Sequence, residues 1–541
     1  MRDLTDIPPP GRFTAAFLRA AVHWDALRAQ PASYARAVWW RIRGKKLRAR
    51  MTLAPLLGQS PRAYRLWRAR RGPLKAPSNG EPRSVLALVE PGDGAEQTLA
   101  SCAAEGIAAA IVADLSQLAD LLAGEETWVL PLEAGTQLAR GAGAFLSAAT
   151  VTDETTHVIY ADDDLIAEDG TLTSPHFKPD WNAELFQHCD YLTGSALLRK
   201  KALSPSDRWL TDLTHQAITA CTANSKEPMH LRHVLFHRRA RPAPQLPLPP
   251  VTIAKRDEPF PKISVLVPTR NRLDLLRVCL RGLMQTEYPG ALDIIVIDNG
   301  SDDPETLEYL SALDEEFARV IRDEGAFNFA ALNNRAAARA EGELLCFLNN
   351  DIEVIEPDWL TTMAQQAQRD EIGAVGARLL YPNGMIQHAG VVLGIGGAAA
   401  HAHRTLHPDE EGYFHRHSLP HFASAVTAAC MVVRRDRFEA VGGFDEDRFA
   451  VSFNDVDLCC RLAQRGWKTL YEPRATLVHH ESVSRGLDRD AEGAARQARE
   501  VATLQERWST GLAPARQAPK SADPFHHPEL SRLSEQFVIR L

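Results

Sequence analysis

The stretch ELLCFLNNDIEV, residues 343–354, decides the fold of this chain. It leads from a short apolar segment directly into two amides and a carboxylate, Asn349, Asn350 and Asp351. A continuously apolar strand, in which polar residues do not alternate, is expected inside a parallel sheet that is covered on both faces. Ligands of such sheets gather at the carboxyl ends of the strands. The sequence therefore predicts that these three polar side chains lie at a functional edge of an α/β sheet.

The same pattern recurs along the chain from residue 262, where apolar strands alternate with helical stretches. Repeated units of this kind predict a doubly wound α/β domain. Neither a G-x-G-x-x-G nor a G-x-x-x-x-G-K-[ST] motif is present, so a dinucleotide fold and a P-loop are not indicated. One acid per strand end is typical of a cleft for a metal-bridged nucleotide diphosphate, because hard cations prefer oxygen ligands. The residues at the ends of the first two strands are Pro268, Thr269, Arg270, Asp298 and Asn299.

Composition excludes several classes of protein. A chain of 541 residues predicts three or four domain-sized units, and 45% hydrophobic with 24% charged residues is typical of a folded soluble protein. The formal charge of -8 argues against a nucleic-acid partner. The 8 cysteines form no C-x-x-C pair, which favours a reducing cytoplasm over a disulfide framework or zinc site. Neither a signal peptide nor a membrane-spanning segment is expected.

Prolines, glycines and charge divide the chain into five predicted segments. The first is a helical arm in which no acidic residue occurs between Asp25 and Glu81, while arginine, lysine and tryptophan recur. Two readings of this arm stay open: peripheral contact with an anionic lipid surface, on the inner face of the cytoplasmic membrane, or a structural role as a solvated basic arm or an inter-domain helix. The predicted segments are the arm at 1–80, a strand-and-helix region at 83–240, a Pro-rich linker at 241–261, the α/β domain at 262–485, and a C-terminal helix and tail at 486–541.

Residues 262 to about 485 resemble family 2 glycosyltransferases of the GT-A fold, especially the bacterial branch acting on O-antigen, capsule and rhamnose-containing polysaccharides. The resemblance implies metal-dependent, inverting transfer of a sugar, with rhamnose one option, from a nucleotide-diphosphate donor. The acceptor would be a surface polysaccharide or a lipid-linked glycan. The stretches that carry the resemblance are SVLVPTRNR, IIVIDNGSDD, FNFAALNNRAAARAEGELLCFLNNDIEV, IQHAGVVLGIGG, AVTAACMVVRRDRFEAVGGFDE, FNDVDLCCRLAQRGW and HHESVSRG.

The resemblance also implies roles on the nucleotide side of the cleft. Asp298 would contact the nucleobase or ribose, with Pro268, Thr269, Arg270 and Asn299 nearby, and Asn334 would line the same pocket. The competing interpretation is structural, because Asp298 and Asn299 are also residues that start a turn.

A divalent cation, Mg²⁺ or Mn²⁺, is the implied cofactor. Asp351 stands at the D-x-D position and would bind it, with Asn349 or Asn350 at most a neutral or water-mediated partner. His479 fits better than His480 as the residue that completes the metal shell, although a surface histidine pair is the alternative. His388 is assigned to an acceptor-side loop.

Asp455 matches the catalytic base of the family, which would take the proton from the acceptor hydroxyl. The stretch around it predicts the start of a helix at Asn454 and Asp455. An alternative reading explains the same residues structurally, with Asn454 as the N-cap and Asp457 as an acid favourable to the helix dipole.

The region at 83–240 resembles a degenerate GT-A-like unit. Pro131 and Glu133 stand where acids are expected, and the triplet Asp162, Asp163 and Asp164 lacks evident partner groups. We therefore predict a non-catalytic domain. Two alternatives remain: a bifunctional transferase with two active domains, and a non-catalytic scaffold that binds nucleotide or glycan in a polysaccharide assembly complex.

Overall fold

The computed structural model describes residues 12–72, 74, 83–251, 259–480, 491–511 and 523–541. Within these ranges the predicted fold class is confirmed, because a helical arm precedes two α/β units, each built on a mixed sheet. Part of the Pro-rich linker, part of the arm with its closing segment, and the last six residues of the HHESVSRG stretch lie outside the described residues. None of the described helices has the length and apolar character that crossing a membrane requires.

Four helices form the N-terminal arm. Pro31 opens the second of them, where its missing N–H costs nothing because the first turn of a helix lacks acceptors. The last helix buries Tyr64, Leu66 and Trp67, which join the arm to the rest of the molecule. The four are α1 (Arg12–Ala29), α2 (Pro31–Ile42), α3 (Lys46–Gly58) and α4 (Ala63–Arg70).

The first α/β unit places its strands in the order β2-β1-β3-β7-β5-β8-β4, with β6 paired to β5. Its elements are β1 (Val85–Val89), α5 (Ala95–Ala104), β2 (Ala108–Ile111), α6 (Leu115–Ala123), β3 (Trp128–Leu132), β4 (Gln137–Leu138), α7 (Ala142–Ala149), β5 (Val158–Ile166), β6 (Leu172–His176), α8 (Ala183–His188), β7 (Ala196–Arg199), α9 (Trp209–Ala223) and β8 (Met229–Arg238).

The second unit orders its strands β11-β10-β9-β12-β19-β14-β20-β13, with β15 and β18 paired at the side. Its elements are β9 (Ile263–Thr269), α10 (Leu273–Met284), β10 (Leu292–Asp298), α11 (Pro304–Ser311), β11 (Ala318–Arg322), α12 (Phe329–Ala337), β12 (Leu344–Leu348), β13 (Ile352–Val354), α13 (Trp359–Ala367), β14 (Ile372–Leu380), β15 (Ile386–His388), β16 (Val391–Leu393), β17 (Ala399–His401), β18 (His421–Ala423), β19 (Cys430–Arg434), α14 (Arg435–Ala440), α15 (Asn454–Gln464), β20 (Lys468–His479) and α16 (Ala491–Trp508).

The two sheets share one topology. The path β2-β1-β3-β7-β5-β8 matches the path β10-β9-β12-β19-β14-β20, strand by strand, in order. The sense of each pairing is also the same: parallel, parallel, antiparallel, antiparallel and parallel. Strand β3 therefore corresponds to β12, and β8 corresponds to β20.

Strand β12, the apolar part of the opening stretch, is buried along its whole length. It pairs with β9 in parallel and with β19 antiparallel, so the sheet is mixed rather than purely parallel. Alternate side chains point to two separate cores: Cys346 packs with α10 and α13 on one face, and Phe347 packs with α12 and α15 on the other. Coverage on both faces explains why the strand is continuously apolar.

The C-terminal residues 523–541 join the arm to both α/β units. Trp67 of α4 donates its indole N–H to Glu529 at 2.8 Å. In the second unit the backbone N–H of Leu393 donates to Asp523 at 2.8 Å. One apolar cluster contains Trp67, Phe177 of the first unit and Phe537 of the tail. The predicted tail is thus an integral part of the packing.

Candidate active site

The carboxyl ends of strands β9, β10 and β12 meet at one edge of the second sheet. Thr269 Oγ1 accepts a hydrogen bond of 2.9 Å from Asn350 Nδ2, which links β9 to the residues after β12. The backbone N–H of Asn299 donates to the carbonyl of Thr269 at 2.8 Å, which links β10 to β9. The structure therefore brings together three of the predicted strand ends.

The nucleotide-side residues differ in accessibility. Arg270 is exposed and Pro268 is half-buried, whereas Asp298 is only 2% exposed. One carboxylate oxygen of Asp298 accepts the backbone N–H of Ser301 at 2.9 Å, and the other pairs with Arg322 at 2.5 Å. Asp298 therefore starts a turn, as the structural reading expects, while its place at the cleft edge stays compatible with the predicted nucleotide contact.

Asn334 makes its hydrogen bonds elsewhere. Its amide donates to the carbonyl of Phe444 and to Glu446, both at 2.9 Å, and its oxygen accepts the N–H of Phe444 at 2.9 Å. These contacts tie α12 to the turn before α15. The structure does not bring Asn334 into the group formed by the strand ends.

Asp351 and His479 approach one another at the end of β12. The Nε2 atom of His479 lies 3.1 Å from Asp351 Oδ1, and Asn349 Nδ2 lies 3.3 Å from the same nitrogen. Asp351 is 3% exposed and His479 is 8% exposed. The side-chain pair is thus buried, whereas His480 turns outward to Glu353.

Gln387, on β15, orients the His479 ring. Its Nε2 donates to the carbonyl of His479 at 3.2 Å, and a carbonyl can only accept, so the orientation of the amide is determined. Its Oε1 then faces His479 Nδ1 at 2.6 Å and accepts a proton from it. In the tautomer that donates from Nδ1, the lone pair of Nε2 faces both Asp351 Oδ1 and the amide Nδ2 of Asn349.

At 3.1 Å from Asp351 Oδ1, His479 Nε2 needs a positive charge beside the carboxylate, and either a proton on Nε2 or a bound cation supplies it. A divalent cation would supply that charge, with a carboxylate oxygen and an imidazole nitrogen as ligands. The second ring nitrogen of a metal-bound histidine usually donates to an outer partner, which is the role Gln387 has here. The residues present thus fit a cation at Asp351 and His479.

Asp455 lies in the first turn of α15, as predicted. Phe453 precedes the helix with φ of 63°, and Asn454 is the first helical residue rather than its N-cap. The Asn454 side chain donates to the carbonyl of Val451 at 3.0 Å. The reading of Asn454 as an N-cap is therefore wrong, because its amide bonds backward along the chain.

The two oxygens of Asp455 accept backbone N–H groups, from Val456 at 2.8 Å and from Ala428 at 3.1 Å. The neighbouring Ala429 accepts, through its carbonyl, the N–H of Asn349 at 3.0 Å. Because Ala428 and Ala429 are consecutive, their Cα atoms are about 3.8 Å apart. Two consecutive residues thus link the Asp455 carboxylate to the end of β12.

Asp457 has a structural role. It is fully buried and pairs with Arg461 and Arg507, each at 2.7 Å, and accepts the indole N–H of Trp508 at 3.0 Å. Arg507 and Trp508 belong to α16, so Asp457 anchors that helix. This explains the acid better than the helix dipole does.

Sequence reasoning missed Gln387 and emphasised its neighbour, His388. His388 is fully buried and its pKa lies well below the ordinary range, because burial and the nearby His401 disfavour the charged ring. The rings of His388 and His401 meet edge to face at 4.7 Å. His388 is thus a neutral core residue rather than part of an open loop. Gln387 lies in IQHAG, one of the stretches that carry the family resemblance, and this was the available sequence signal that the residue has a role.

The first unit carries a guanidinium at the place of the candidate cation site. Glu133 follows β3 as Asn349 follows β12, and Arg238 ends β8 as His479 ends β20. Arg238 pairs with Glu133 at 2.8 Å and is 1% exposed. A guanidinium stays protonated and has no lone pair for a metal. The equivalent edge of the first unit is therefore occupied by the chain's own positive charge.

The acid triplet of β5 does have partner groups, so the expectation that they are missing is wrong. All three carboxylates are fully buried. The partners come from distant parts of the chain, which hid them from sequence reasoning. Asp162 faces His230 and His527; Asp163 faces Lys178, Arg238 and Arg241; Asp164 faces His237 and Tyr64.

Asp162, His230 and His527 are close enough to hold a metal ion. The hydrogen bonds favour a different assignment. His527 Nδ1 accepts the backbone N–H of Glu529 at 3.1 Å, so the ring proton of neutral His527 sits on Nε2, which faces Asp162. The two nitrogens of His230 face the carboxylates of Asp162 and Asp180. The group is therefore better described as a buried ion-pair network.

Comparison with known proteins identifies one domain of the chain. Residues 264–442 match the model of glycosyl transferase family 2, a family of glycosyltransferases. That match ends before Asp455 and His479 in the chain.

Three relatives illustrate the likeness. An uncharacterized protein of Sinorhizobium fredii is 36% identical over 71% of this chain and 46% of its own length. The O-antigen biosynthesis protein RfbC of Myxococcus xanthus is 32% identical over 71% of this chain and 32% of its own length. An N-acetylglucosaminyl-diphospho-decaprenol L-rhamnosyltransferase of Mycobacterium tuberculosis is 44% identical over 12% of this chain and 20% of its own length. The chain spans half or less of each relative.

Proposed function

We propose that this chain transfers a sugar from a nucleotide-diphosphate donor to a glycan acceptor, with a divalent cation at Asp351 and His479 and inversion at the sugar carbon. The observation that carries the proposal is the close approach of His479 Nε2 to Asp351 Oδ1, at 3.1 Å, in a buried position. Gln387 maintains that arrangement. The family match supports the class of reaction.

The residues divide the work as follows. Asp351 and His479 hold the cation, Mg²⁺ or Mn²⁺, and a bound cation would offset the charge on the leaving diphosphate. Asn349 Nδ2, directed at the same nitrogen, is a neutral neighbour of the cation. The strand ends at Thr269, Asn299 and Asn350 border the donor. With one anionic ligand, the affinity for the cation alone is modest until donor phosphates complete its shell.

Asp455 acts as the general base. It accepts the proton of the acceptor hydroxyl while that oxygen forms a bond to the anomeric carbon and the bond from this carbon to the diphosphate breaks. One displacement of this kind inverts the anomeric centre. Two backbone N–H groups hold the Asp455 carboxylate in one orientation.

The descriptions of two relatives support a proposal for the acceptor and the transferred sugar. RfbC is described as an O-antigen biosynthesis protein, and the mycobacterial relative as an L-rhamnosyltransferase acting on a diphospho-decaprenol. By extension, rhamnose is the transferred sugar and a lipid-linked or surface glycan the acceptor. The chain works beside the membrane that carries such an acceptor.

The first α/β unit is non-catalytic in this account. Its counterpart of the cation site is filled by Arg238 and Glu133, and the β5 acids are neutralised internally. This arrangement argues against a bifunctional transferase. A scaffold without activity is the second candidate for the whole chain, favoured by the amides Asn349 and Asn350 at the D-x-D position.

The test is the variant Asp455→Asn. We expect transfer to fall by about 10² or more, the contribution of a general base, while the thermal shift caused by the donor is kept. Asp436→Asn is the matched control, because Asp436 is also a first-turn acid, in α14, but pairs with Arg434 at the surface. Undiminished turnover by Asp455→Asn removes this residue from the mechanism. Donor binding without turnover by the unaltered chain favours the scaffold.

A further inference from the structure

The N-terminal arm concentrates positive charge. Residues 12–72 contain 15 arginines and lysines and one acid, Asp25, within a chain whose formal charge is -8. Asp25 is paired with Arg62 and Ser60, so it neutralises a cation at the root of the arm. Within residues 12–72, Asp25 is thus the one acid available to the basic residues of α1, α2 and α3.

The same three helices expose large apolar side chains. Phe17 and Trp24 are seven residues apart on α1, and Val38 and Ile42 are four apart on α2, spacings that place each pair on one side of its helix. Ile42 is 75% exposed and Phe17 is 73% exposed. The exposed set between residues 17 and 47 is Phe17, Trp24, Val38, Trp39, Ile42 and Leu47. Exposed apolar groups clustered in this way indicate a surface that contacts something.

Cations and aromatic rings alternate on this surface. The guanidinium of Arg43 lies 4.7 Å from the ring centre of Trp39. Lys45 and Arg48 lie over the ring of Trp40, at 5.0 and 4.9 Å. Aromatic and apolar side chains beside lysine and arginine are typical of helices that lie in the interface of an anionic bilayer.

The arm also lies beside the catalytic unit. Met51 of α3 neighbours Gly396, in the turn between β16 and β17. Strand β17 ends at His401, whose ring contacts the carbonyl of Gln387 at 2.9 Å, the residue that orients His479. Anything that binds the outward-facing sides of α1, α2 and α3 would therefore lie on the same side of the molecule as the hairpin formed by β16 and β17.

We propose that α1, α2 and α3 form a docking surface for an anionic lipid bilayer, with Phe17, Trp24, Trp39 and Ile42 entering the headgroup region. Charge complementarity selects this occupant, since phospholipid headgroups supply the negative charge that the arm lacks. A symmetric second copy is disfavoured because it would place two strongly positive surfaces face to face. The inference extends the proposed function without depending on it.

Vesicle sedimentation of the full chain tests this surface without any sugar nucleotide. We expect binding to vesicles of phosphatidylcholine with phosphatidylglycerol, little binding to phosphatidylcholine alone, and loss of binding at about 0.5 M salt, where charges are screened within a few ångströms. Ile42→Ser or Phe17→Ser should lower the partition coefficient by about tenfold, the contribution of one large apolar side chain.

Met284→Ser is the matched control, because Met284 is 69% exposed at the end of α10 in the second unit. Its partition coefficient should equal that of the unaltered chain. Absence of binding to either vesicle overturns the proposal, and so does an equal loss in Ile42→Ser and Met284→Ser. A concentration-dependent dimer that Ile42→Ser abolishes, seen by light scattering without vesicle binding, would assign the surface to a second copy instead.

Discussion

Replacing Gln387 by leucine removes the group that sets the tautomer of His479. Gln387 is 1% exposed, accepts from the ring at 2.6 Å and donates to the His479 carbonyl at 3.2 Å. Without these bonds the ring proton is free to move to Nε2, where it points at Asp351 and blocks a cation. Loss of such an outer partner typically lowers metal affinity by about 10 to 100-fold, or roughly 1.4 to 2.8 kcal/mol.

The assay is a Mn²⁺ titration followed by electron paramagnetic resonance, with and without a nucleoside diphosphate. Gln387→Leu also removes the hydrogen-bond partner of the buried Nδ1 and carbonyl of His479, so a loss of about 1 to 3 kcal/mol in the free energy of unfolding is expected. Gln366→Leu is the control for that loss, because Gln366 is a buried glutamine of the same unit that bonds Glu472 at 3.1 Å instead.

The conservative variant Gln387→Glu separates positioning from general damage. Its carboxylate still accepts the proton of His479 Nδ1 but cannot donate to the His479 carbonyl, so we expect an Mn²⁺ affinity nearer to that of the unaltered chain than to that of Gln387→Leu. The reasoning is refuted if Gln387→Leu binds Mn²⁺ as well as Gln366→Leu does, or if Gln387→Glu loses affinity as much as Gln387→Leu.

Two further predictions concern the first unit. Arg238→Ala should lower the free energy of unfolding by about 3 to 5 kcal/mol in a denaturant titration, because Asp163 and Glu133 lose a buried cation. Donor turnover should stay unchanged, and a loss of turnover would show that this unit takes part in catalysis. His230 is buried, which lowers its pKa, but Asp162 and then Asp180 raise the pKa above its ordinary value of 6.5. The ion pair thus stabilises fully below about pH 6.5 and is lost as the pH rises through the folded pKa. The stability difference between the unaltered chain and His230→Gln should therefore shrink as the pH rises above 6.5, and a constant difference would contradict the network.

The sequence predicts the strand ends because their signal is local. Strand β12 is covered on both faces, which makes it continuously apolar, and the polar residues that end it stand next to it in the chain. The helix start at Asn454 is visible for the same reason, although the direction of the Asn454 amide is not.

The rest depends on contacts between distant residues. Gln387 and His479 are 92 positions apart in the chain. They come together because β14 pairs both with β15, which carries Gln387, and with β20, which ends at His479. Arg238 is recognisable as a neighbour of the position equivalent to His479 only once the two sheets are known to share a strand order; His237 pairs with the first residue of β4 as His479 pairs with the first residue of β13. His527 reaches Asp162 from the far end of the chain, so the partners of the β5 acids could not be read from neighbouring residues.

The most direct test of the account is a donor screen on the unaltered chain and on Asp351→Ala. Several sugar nucleotides, including dTDP-rhamnose, are compared with and without Mn²⁺, by thermal shift and by release of the nucleoside diphosphate. The account predicts that at least one donor raises the melting temperature and is turned over only with Mn²⁺, and that Asp351→Ala loses both responses while keeping its fold. A shift that needs no cation, an undiminished response of Asp351→Ala, or no response to any donor would contradict it.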